Sequence, residues 1–380
     1  MDDVLIFAGT ERSPEMRREI PLGVTDPFFY AEVGGARHVA IPRLEITRLA
    51  ALGTGAVLHC TDEFGSHELF EQGLGHDEVL EHVAVRFCGE LGIRRAVVPG
   101  AFPVRMADVL REAGIGIEPR QSLFSGRLRV KTPAQIEGIR RAQLAAEAGM
   151  TAVARLIARA EPREDGAVVD GAPLTSERLR QVLLVTFLEH GAVADRVITS
   201  HGPQAAMGHE SGSGVILPGE PVVVDIWPRD LQTGCYTDMT RTFVIGEPPA
   251  ELTVYQKVVK DALDAAIAEV RPGADTRTVY GAAAGVIERA GYPTNRTKEP
   301  GKPLDHGFYH PLGHGVGLQV HEAPVLGIRP DTLVAGDVIA VEPGIYRPGF
   351  GGCRLEDILV VTDQGADKLT AFPYDLIPAA

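Results

Sequence analysis

The first 130 residues alternate short apolar runs with longer stretches of helical spacing. Between the runs, HELFEQGLGHDEVLEHVAVRFCGELG (67–92) places apolar residues three and four positions apart, as one face of a helix requires. We therefore expect an N-terminal α/β domain over residues 1–130, with His67, His76 and His82 on exposed helical surface. The predicted strands, each bounded by turn residues, are VLIFAG (4–9), HVAIP (38–42), AVLHC (56–60) and RAVVPG (95–100).

A strong helix-start signal follows Lys131 and marks the expected start of a second domain, residues 131–380. Thr132 can cap the helix, Pro133 suits its first position, and Gln135 can complete a capping box. The next 22 residues, IEGIRRAQLAAEAGMTAVARLI, have the spacing of a long amphipathic helix.

The rest of the chain interleaves helices with hairpin-like pairs of strands, which favours an α+β layered domain over a parallel doubly wound sheet. Ser176 is expected to cap a helix that runs to His190 and stops at Gly191. Two further helices are predicted at 251–269 and 275–290, and strands at 221–227, 236–245, 337–346 and 353–362.

Composition narrows the class of protein. Its 380 residues suggest two domains, and 44% hydrophobic with 23% charged residues is typical of globular proteins. A net charge of −14 argues against a nucleic-acid partner, which needs a basic surface. No apolar stretch is long enough for a membrane span, and the start lacks the features of a secretory signal. We expect a cytoplasmic protein with reduced cysteines, since these are widely spaced: Cys60, Cys88, Cys235 and Cys353.

Each of the four C-terminal strand candidates carries at least one carboxylate, although an acid in an apolar strand loses hydration unless something pairs with it. Binding to shared cations would compensate the lost hydration of all four acids together. These acids are Asp225, Asp238, Glu342 and Glu356. An imidazole from HPLGHGVGLQVHE (310–322) would complete an oxygen-rich set suited to Mn²⁺, Co²⁺, Fe²⁺ or Zn²⁺. Two such ions about 3.5–4 Å apart form a hydrolytic centre. The alternative is a buried network in which Arg241 and Arg354 pair with the acids.

Glycine recurs at every second position of the same segment, at Gly313, Gly315 and Gly317. This spacing predicts close backbone approach in a strand, with an ordinary glycine-rich loop as the alternative. A phosphate-binding loop is disfavoured, because the pattern lacks the Lys-Ser/Thr ending.

Four segments in order, VDIWPRDLQTGCYTDMTRTF, HPLGHGVGLQVHE, VEPGIY and RLEDILVV, resemble the motifs of the dinuclear pita-bread metallopeptidases. GHGVGLQVHEAP and GGCRLEDILVVT look most like those of Xaa-Pro dipeptidases (prolidases) and Xaa-Pro aminopeptidases. The likeness covers residues from about 132 to 375, and the N-terminal part more weakly resembles a creatinase-type domain. The resemblance implies a C-terminal pita-bread (creatinase/aminopeptidase-like) catalytic domain with a smaller α/β creatinase-type domain N-terminal to it.

The resemblance implies a ligand set in which Asp225 binds one metal, His314 and Glu342 bind the other, and Asp238 and Glu356 bridge. Mn²⁺ is the expected ion, with Co²⁺, Zn²⁺ and Fe²⁺ as alternatives. Twelve residues separate Asp225 from Asp238, where the family usually has ten, so the hairpin turn between them should be longer.

The resemblance also implies a mechanism for cleaving the bond before proline. In that mechanism a hydroxide bridging the metals would attack the carbonyl, Glu342 would take up its proton, and His321 would stabilise the oxyanion. His209 and His310 position substrate and help protonate the leaving nitrogen. His201, eight residues before His209, could be confused with it.

Two arginines complete the set of implied site residues. Arg354 would support the metal ligands, and Arg329 would clamp the terminal carboxylate if the enzyme is a dipeptidase. Proline-containing di- or oligopeptides are the expected substrates, and a homodimer the expected assembly. The alternatives are a metal-free creatinase-like hydrolase or a non-catalytic binding protein on the same fold; a methionine aminopeptidase fits the large N-terminal domain poorly.

Overall fold

The computed structural model describes residues 2–379. The chain divides into two compact units, Met1–Leu128 and Arg129–Ala380.

The N-terminal unit is a mixed six-stranded sheet in the order β4-β3-β2-β1-β5-β6. The strand pairs β1-β2 and β2-β3 are antiparallel, whereas β3-β4, β1-β5 and β5-β6 are parallel. Its strands are β1 (Asp3–Ala8), β2 (Phe28–Val33), β3 (Ala36–Ile41), β4 (Val57–Cys60), β5 (Arg95–Val98) and β6 (Gly116–Pro119). Its helices are α1 (Pro14–Glu19), α2 (Arg43–Ala51), α3 (Ser66–Glu71), α4 (His76–Glu90), α5 (Val104–Glu112) and α6 (Gln121–Arg129), the last ending at the unit boundary.

All four strands expected in this unit are present, and His67, His76 and His82 are exposed as predicted. The sequence missed β2 and β6. The first four residues of β2, FFYA, are all buried between neighbouring strands, so the strand lacks the alternation that reveals a half-exposed one. β6 has only four residues and pairs on one side, with β5.

The C-terminal unit begins with the longest helix of the described residues. Its helices are α7 (Pro133–Ala158), α8 (Ser176–Glu189), α9 (Ala250–Ile267) and α10 (Thr276–Arg289). The predicted capping box of α7 is confirmed: the Thr132 hydroxyl accepts from the Gln135 backbone at 3.2 Å, and the Gln135 side chain accepts from the Thr132 backbone at 2.9 Å. None of the helices within residues 2–379 combines the length and apolar character needed to cross a bilayer.

The predicted cap of α8 was one residue off. Thr175 is the cap, and its hydroxyl accepts from the Arg178 backbone at 3.2 Å, while the Ser176 hydroxyl donates to the Thr199 carbonyl. The α9 and α10 predictions are confirmed to within two residues at each end, and the Asp275 side chain caps α10.

Two of the sheets in this unit carry most of the acidic segments, and three more have two strands each, β7-β8, β9-β12 and β17-β18. A three-stranded antiparallel sheet has the order β10-β11-β13, and a five-stranded antiparallel sheet the order β15-β14-β16-β19-β20. The strands are β7 (Val168–Val169), β8 (Ala172–Pro173), β9 (Ala192–Val193), β10 (Ile198–His201), β11 (Val222–Ile226), β12 (Arg229–Asp230), β13 (Met239–Phe243), β14 (Gly313–Gly315), β15 (Glu322–Leu326), β16 (Val338–Val341), β17 (Gly344–Arg347), β18 (Gly351–Arg354), β19 (Asp357–Thr362) and β20 (Gly365–Lys368).

Two predicted strands are each broken at their acidic residue, which corrects the expectation that all four carboxylates lie in strand interiors. The stretch 337–346 divides into β16 and β17 around Glu342, and 353–362 divides into β18 and β19 around Glu356. Asp238 immediately precedes β13, so Asp225 alone of the four lies within a strand. A break in the ladder is a physical way to avoid burying a carboxylate in a regular strand.

The lengthened turn between β11 and β13 is anchored to α7. Arg141 of α7 makes a two-pronged ion pair with Asp230, with N···O distances of 3.0 and 2.9 Å. A Cβ at Gly138 would lie 2.0 Å from the Thr233 hydroxyl oxygen, so only glycine lets this turn approach the helix. The turn is thus a fixed part of the fold.

Candidate metal centre and active site

The three-stranded sheet supplies two of the predicted ligands. Asp225 lies in the central strand β11 and is paired in register with Thr240 of β13. Their side chains therefore share one face of the sheet, and the Thr240 hydroxyl lies 2.9 Å from Oδ1 of Asp225. Asp238 is the residue immediately before β13.

The five-stranded sheet supplies the imidazole. His314 is the middle residue of β14, which pairs with both β15 and β16. A Cβ at Gly313 would lie 1.9 Å from the Ala340 carbonyl oxygen, and one at Gly315 would lie 2.3 Å from that of Ala323. The predicted close backbone approach is confirmed at Gly313 and Gly315, which let the neighbouring backbones pack tightly around His314, whereas Gly317 lies outside β14 and meets side chains.

The two glutamates come from the strand breaks. The Glu342 backbone N–H donates to the Leu312 carbonyl at 2.7 Å, which places Glu342 beside the residues leading into β14. The Glu356 backbone N–H donates to the Thr240 carbonyl at 3.1 Å and so links this residue to the three-stranded sheet. Both acids therefore enter the site from points where two segments meet.

These elements bring the side chains together. Asp238, His314 and Glu356 are all buried, and each offers one ligand atom within 4.8 Å of those of the other two. Nε2 of His314 lies 3.8 Å from Oδ2 of Asp238 and 3.6 Å from Oε1 of Glu342. Asp225 joins the group through Thr240, whose hydroxyl lies 2.7 Å from Oε2 of Glu356. The predicted imidazole and four carboxylates therefore occupy one neighbourhood.

Burial and mutual repulsion raise the pKa values of three of these acids. Burial raises the pKa of Asp238 well above its usual value, and the charge of Glu356 adds to the effect. Burial followed by the charge of Glu342 does the same for the pKa of Glu356, and burial raises the pKa of Glu342 to about 7. The Thr240 hydroxyl has only one hydrogen to donate but lies close to both Asp225 and Glu356. A protonated Glu356 can donate to the hydroxyl oxygen while the hydroxyl donates to Asp225.

Arg354 lies among the same acids, as the resemblance implied. Its guanidinium contacts Oδ2 of Asp225, donates to the Tyr346 hydroxyl at 3.1 Å and approaches Oε2 of Glu342 to 4.0 Å. Burial alone would lower the pKa of Arg354, but the charge of Asp225 and its neighbours raises it well above the usual value.

The arginine-paired alternative accounts for only part of the cluster. Arg354 contacts Asp225, but Arg241 pairs with Asp357 at 2.9 Å and reaches only the backbone carbonyl of Glu356. Neither arginine pairs with Asp238, whose Oδ1 is buried without a hydrogen-bond partner among residues 2–379. A buried carboxylate oxygen without a partner calls for a cation.

The protonation of His314 also suits a cation. Its Nδ1 lies 3.1 Å from the Gly315 carbonyl, an acceptor, so Nδ1 carries the hydrogen and Nε2 offers a lone pair to the acids' side. Burial lowers the pKa of His314 to about 4, which leaves the ring neutral near pH 7. A neutral imidazole with several carboxylates is a donor set for Mn²⁺, Fe²⁺, Co²⁺ or Zn²⁺, so the residues present fit the metal centre that the sequence implied.

His310 lies in a chain of hydrogen bonds with Arg354. The Arg354 guanidinium donates to the Tyr346 hydroxyl oxygen, and that hydroxyl lies 2.9 Å from Nε2 of His310. Nδ1 of His310 lies 2.7 Å from the Pro311 carbonyl and therefore carries the hydrogen. Burial lowers the pKa of His310 to about 3, so its ring is neutral.

The other two predicted histidines, His209 and His321, are both exposed. The His321 ring packs edge-on against the His314 ring, with centroids 4.3 Å apart and planes at 78°. His209 is exposed, and its charge contributes to lowering the pKa values of His310 and His321, behind burial in both cases. His201 is engaged elsewhere: Nδ1 lies 2.7 Å from Glu220 and Nε2 3.1 Å from the Ser213 carbonyl.

Arg329 lies beyond the end of β15 with an exposed side chain. No hydrogen bond or ion pair joins that side chain to the described residues, so the structure does not bring it into the cluster. Sequence reasoning did not single out Tyr346 or Thr240. Thr240 stands two positions after Asp238 in an extended segment, a spacing that puts it on the same face.

Comparison with known proteins agrees with this arrangement. Residues 137–363 match the sequence model of metallopeptidase family M24. The chain is 31% identical over 350 residues to a probable dipeptidase, PepE, of Mycobacterium tuberculosis, covering 90% of this chain and 83% of the relative. It is 32% identical over 251 residues to an Xaa-Pro dipeptidase of Pyrococcus furiosus, covering 65% of each chain.

The fold matches as well. A solved Xaa-Pro dipeptidase from Bacillus anthracis superposes with a TM-score of 0.80 at 23% identity, covering 99% of this chain and 94% of that one. The predicted fold is therefore confirmed: a pita-bread domain with a smaller creatinase-type α/β domain. The chain belongs to metallopeptidase family M24 and is a peptidase.

Proposed function

We propose that this peptidase cleaves Xaa-Pro bonds, in dipeptides or at peptide N-termini, with two divalent cations held by its acidic cluster. The ligands would be Asp225, Asp238, His314, Glu342 and Glu356. The observation that carries the proposal is the convergence of Asp238, His314 and Glu356 within 4.8 Å, together with a buried Asp238 oxygen that has no partner among the described residues. The Xaa-Pro specificity is supported by the similarity to the Xaa-Pro dipeptidase of Pyrococcus furiosus and by the sequence motifs.

Mn²⁺ is the proposed ion, with Co²⁺, Zn²⁺ and Fe²⁺ as alternatives that the same ligands accept. When bound, such ions lower the pKa of a coordinated water and polarise the scissile carbonyl. A metal-free hydrolase or a binding protein on this fold is opposed by Asp238, because nothing else in the described residues satisfies its buried oxygen.

Glu342 is the proposed proton acceptor. Its Oε1 lies 3.6 Å from Nε2 of His314, and its side chain is 17% exposed. Burial raises its pKa to about 7, a value from which a carboxylate can both take up and release a proton near neutral pH.

The histidines would act on substrate. His321 packs against His314 yet is exposed to solvent, so it can donate a hydrogen bond to the developing oxyanion. His310 is neutral and already accepts from Tyr346, which favours a role in orienting substrate over donating a proton. Exposed His209 remains the proposed proton donor for the leaving nitrogen.

Location and assembly are also proposals. Four free, buried cysteines support a reducing compartment, and we propose the cytoplasm. A homodimer is supported by the resemblance alone, and light scattering on the purified protein would give the mass. Arg329 as a carboxylate clamp has little support from its exposed position.

The proposed specificity is tested with substrates that differ at one residue. Mn²⁺-loaded enzyme is assayed with an Xaa-Pro dipeptide, an Xaa-Pro-Xaa tripeptide and the matching peptides with alanine in place of proline. We expect cleavage before proline and much weaker cleavage before alanine. Preference for the dipeptide would identify a dipeptidase, and preference for the tripeptide an aminopeptidase. Equal cleavage of the alanine peptides would overturn the Xaa-Pro proposal.

A further inference from the structure

A buried ion pair lies directly behind the segment that carries His321. Nζ of Lys131 is 2.6 Å from Oε2 of Glu322, with side chains only 1% and 3% exposed. Lys131 also donates to the Arg129 carbonyl at 3.1 Å, and Oε1 of Glu322 accepts from the Gln319 backbone N–H at 2.9 Å. Glu322 thus ties the segment that leads into α7 to the turn that precedes β15.

The turn between Val316 and His321 is packed directly onto this pair. A Cβ at Gly317 would lie 2.5 Å from Cε of Lys131 and 2.8 Å from both carboxylate oxygens of Glu322. The Gly317 carbonyl accepts from the Tyr236 backbone N–H at 2.7 Å, two residues before Asp238. Gly317 therefore lies where the ion pair, the His314 segment and the Asp238 segment meet.

We propose that the Lys131–Glu322 ion pair positions His321 against His314 by fixing the turn from Val316 to His321. Glu322 is the chain neighbour of His321, and its carboxylate joins Lys131 to the Gln319 backbone, so loss of the pair frees the turn that holds the imidazole. The catalytic consequence rests on the proposed function of His321. The positioning itself does not, and it can be measured without activity.

Removing one partner should have a larger effect than removing both. Lys131→Met keeps the length of the side chain but leaves the Glu322 carboxylate buried without its cation, which favours a turn opened to water. Glu322→Gln keeps one of the two acceptor oxygens, which can serve the Gln319 N–H or Lys131 but not both, so it should weaken this link without removing it. Lys131→Met with Glu322→Gln leaves no unpaired charge and should recover most of the stability lost in Lys131→Met.

The positioning is measured by NMR of histidine-labelled protein, with and without Zn²⁺, in which the His321 signals are assigned from their loss in His321→Gln. In the wild type, edge-on packing against His314 should shift the His321 ring protons. Lys131→Met should abolish this shift, and Glu322→Gln should reduce it. Val259→Ala, which opens a cavity in the core of α9 far along the chain, is the control for lost stability and should leave the shift unchanged.

Kinetics give the second readout. In Lys131→Met we expect kcat to fall roughly 10- to 100-fold, as misplacement of a reacting group does, with KM within about 3-fold. Val259→Ala should retain kcat. Unchanged His321 signals and kcat in Lys131→Met, or in Glu322→Gln if the former does not fold, would overturn the proposal. Equal losses in Val259→Ala would overturn it too. A wild type without peptidase activity would refute the proposed function, while the NMR result would still decide the positioning.

Discussion

Nε2 of His314 lies 3.8 Å from Oδ2 of Asp238, too far for a hydrogen bond. Two atoms that bind one cation at about 2.0–2.2 Å can be at most about 4.4 Å apart, so this separation is compatible with a shared ion. The two residues come from different sheets, 76 positions apart in the chain. The fold thus holds a neutral imidazole and a buried acid near each other without pairing them directly.

Asp238→Asn should abolish peptidase activity yet stabilise the metal-free protein. Burial and the charge of Glu356 raise the pKa of Asp238, so without a cation this carboxyl opposes folding increasingly as pH rises above its unfolded pKa of about 3.9. Each kcal/mol relieved corresponds to a rise in Tm of roughly 2–4 °C. Asp230→Asn is the matched control: this buried aspartate has Arg141 as partner, and its loss should lower Tm. A lower Tm in chelator-treated Asp238→Asn would contradict the account.

Glu342→Gln should lower kcat by about 10²–10⁴-fold, the usual contribution of a general base. The amide is nearly the same size as the carboxylate but cannot take up a proton. The measurement is kcat with saturating Mn²⁺ and an Xaa-Pro substrate. A variant that retains kcat within 3-fold would exclude Glu342 as the proton acceptor.

Tyr346→Phe should lower kcat/KM by about 10-fold, because it removes the hydroxyl between Arg354 and His310. Tyr255→Phe removes a hydroxyl of the same kind that donates to Glu251 on α9, and it should leave kcat/KM unchanged. Steady-state assays of both variants make the comparison. Similar losses in the two would show that the hydroxyl chain to His310 has no special role.

His201→Gln tests the pH dependence of an ion pair outside the cluster. Burial lowers the pKa of His201, but its hydrogen bond to Glu220 more than compensates, and the net pKa is raised. Both ring nitrogens face acceptors, which requires the doubly protonated form. Because the pKa of His201 is higher in the folded than in the unfolded protein, the pair stabilises the fold fully below the unfolded pKa of about 6.5. This stabilisation is lost as pH rises through the pKa of the folded state.

The free energy of unfolding should therefore drop by about 1.5–3 kcal/mol in His201→Gln near pH 6, and by less near pH 9. Urea unfolding of wild type and variant at both pH values measures the difference. A larger loss of unfolding free energy in His201→Gln at pH 9 than at pH 6 would contradict a raised pKa of His201.

The sequence was most informative where a local rule decides the structure. The Thr132-Pro133 start of α7 and the tight packing at Gly313 and Gly315 follow from side-chain chemistry and the absence of a Cβ. The cap of α8 went to Thr175 rather than Ser176, because the Ser176 hydroxyl is used by the Thr199 carbonyl of a neighbouring strand. Such tertiary competition is not visible in a local pattern.

The candidate site was predictable as a set of residues but not as a geometry. Four acids in apolar segments indicated convergence, yet the breaks at Glu342 and Glu356 depend on the strands packed around them. The roles of Tyr346 and Lys131 arise from contacts across 8 and 191 positions respectively, and no periodicity marks either pair. Assignment of the five ligands itself remains a prediction.

Reconstitution of the metal-free protein tests the central claim most directly. Chelated enzyme is titrated with Mn²⁺ while bound metal per chain and Xaa-Pro hydrolysis are measured on the same samples. The account predicts no hydrolysis without metal, two ions bound per chain at full activity, and loss of tight binding in Glu356→Gln. Full hydrolysis by the chelated protein, or activity that does not follow bound metal, would contradict it.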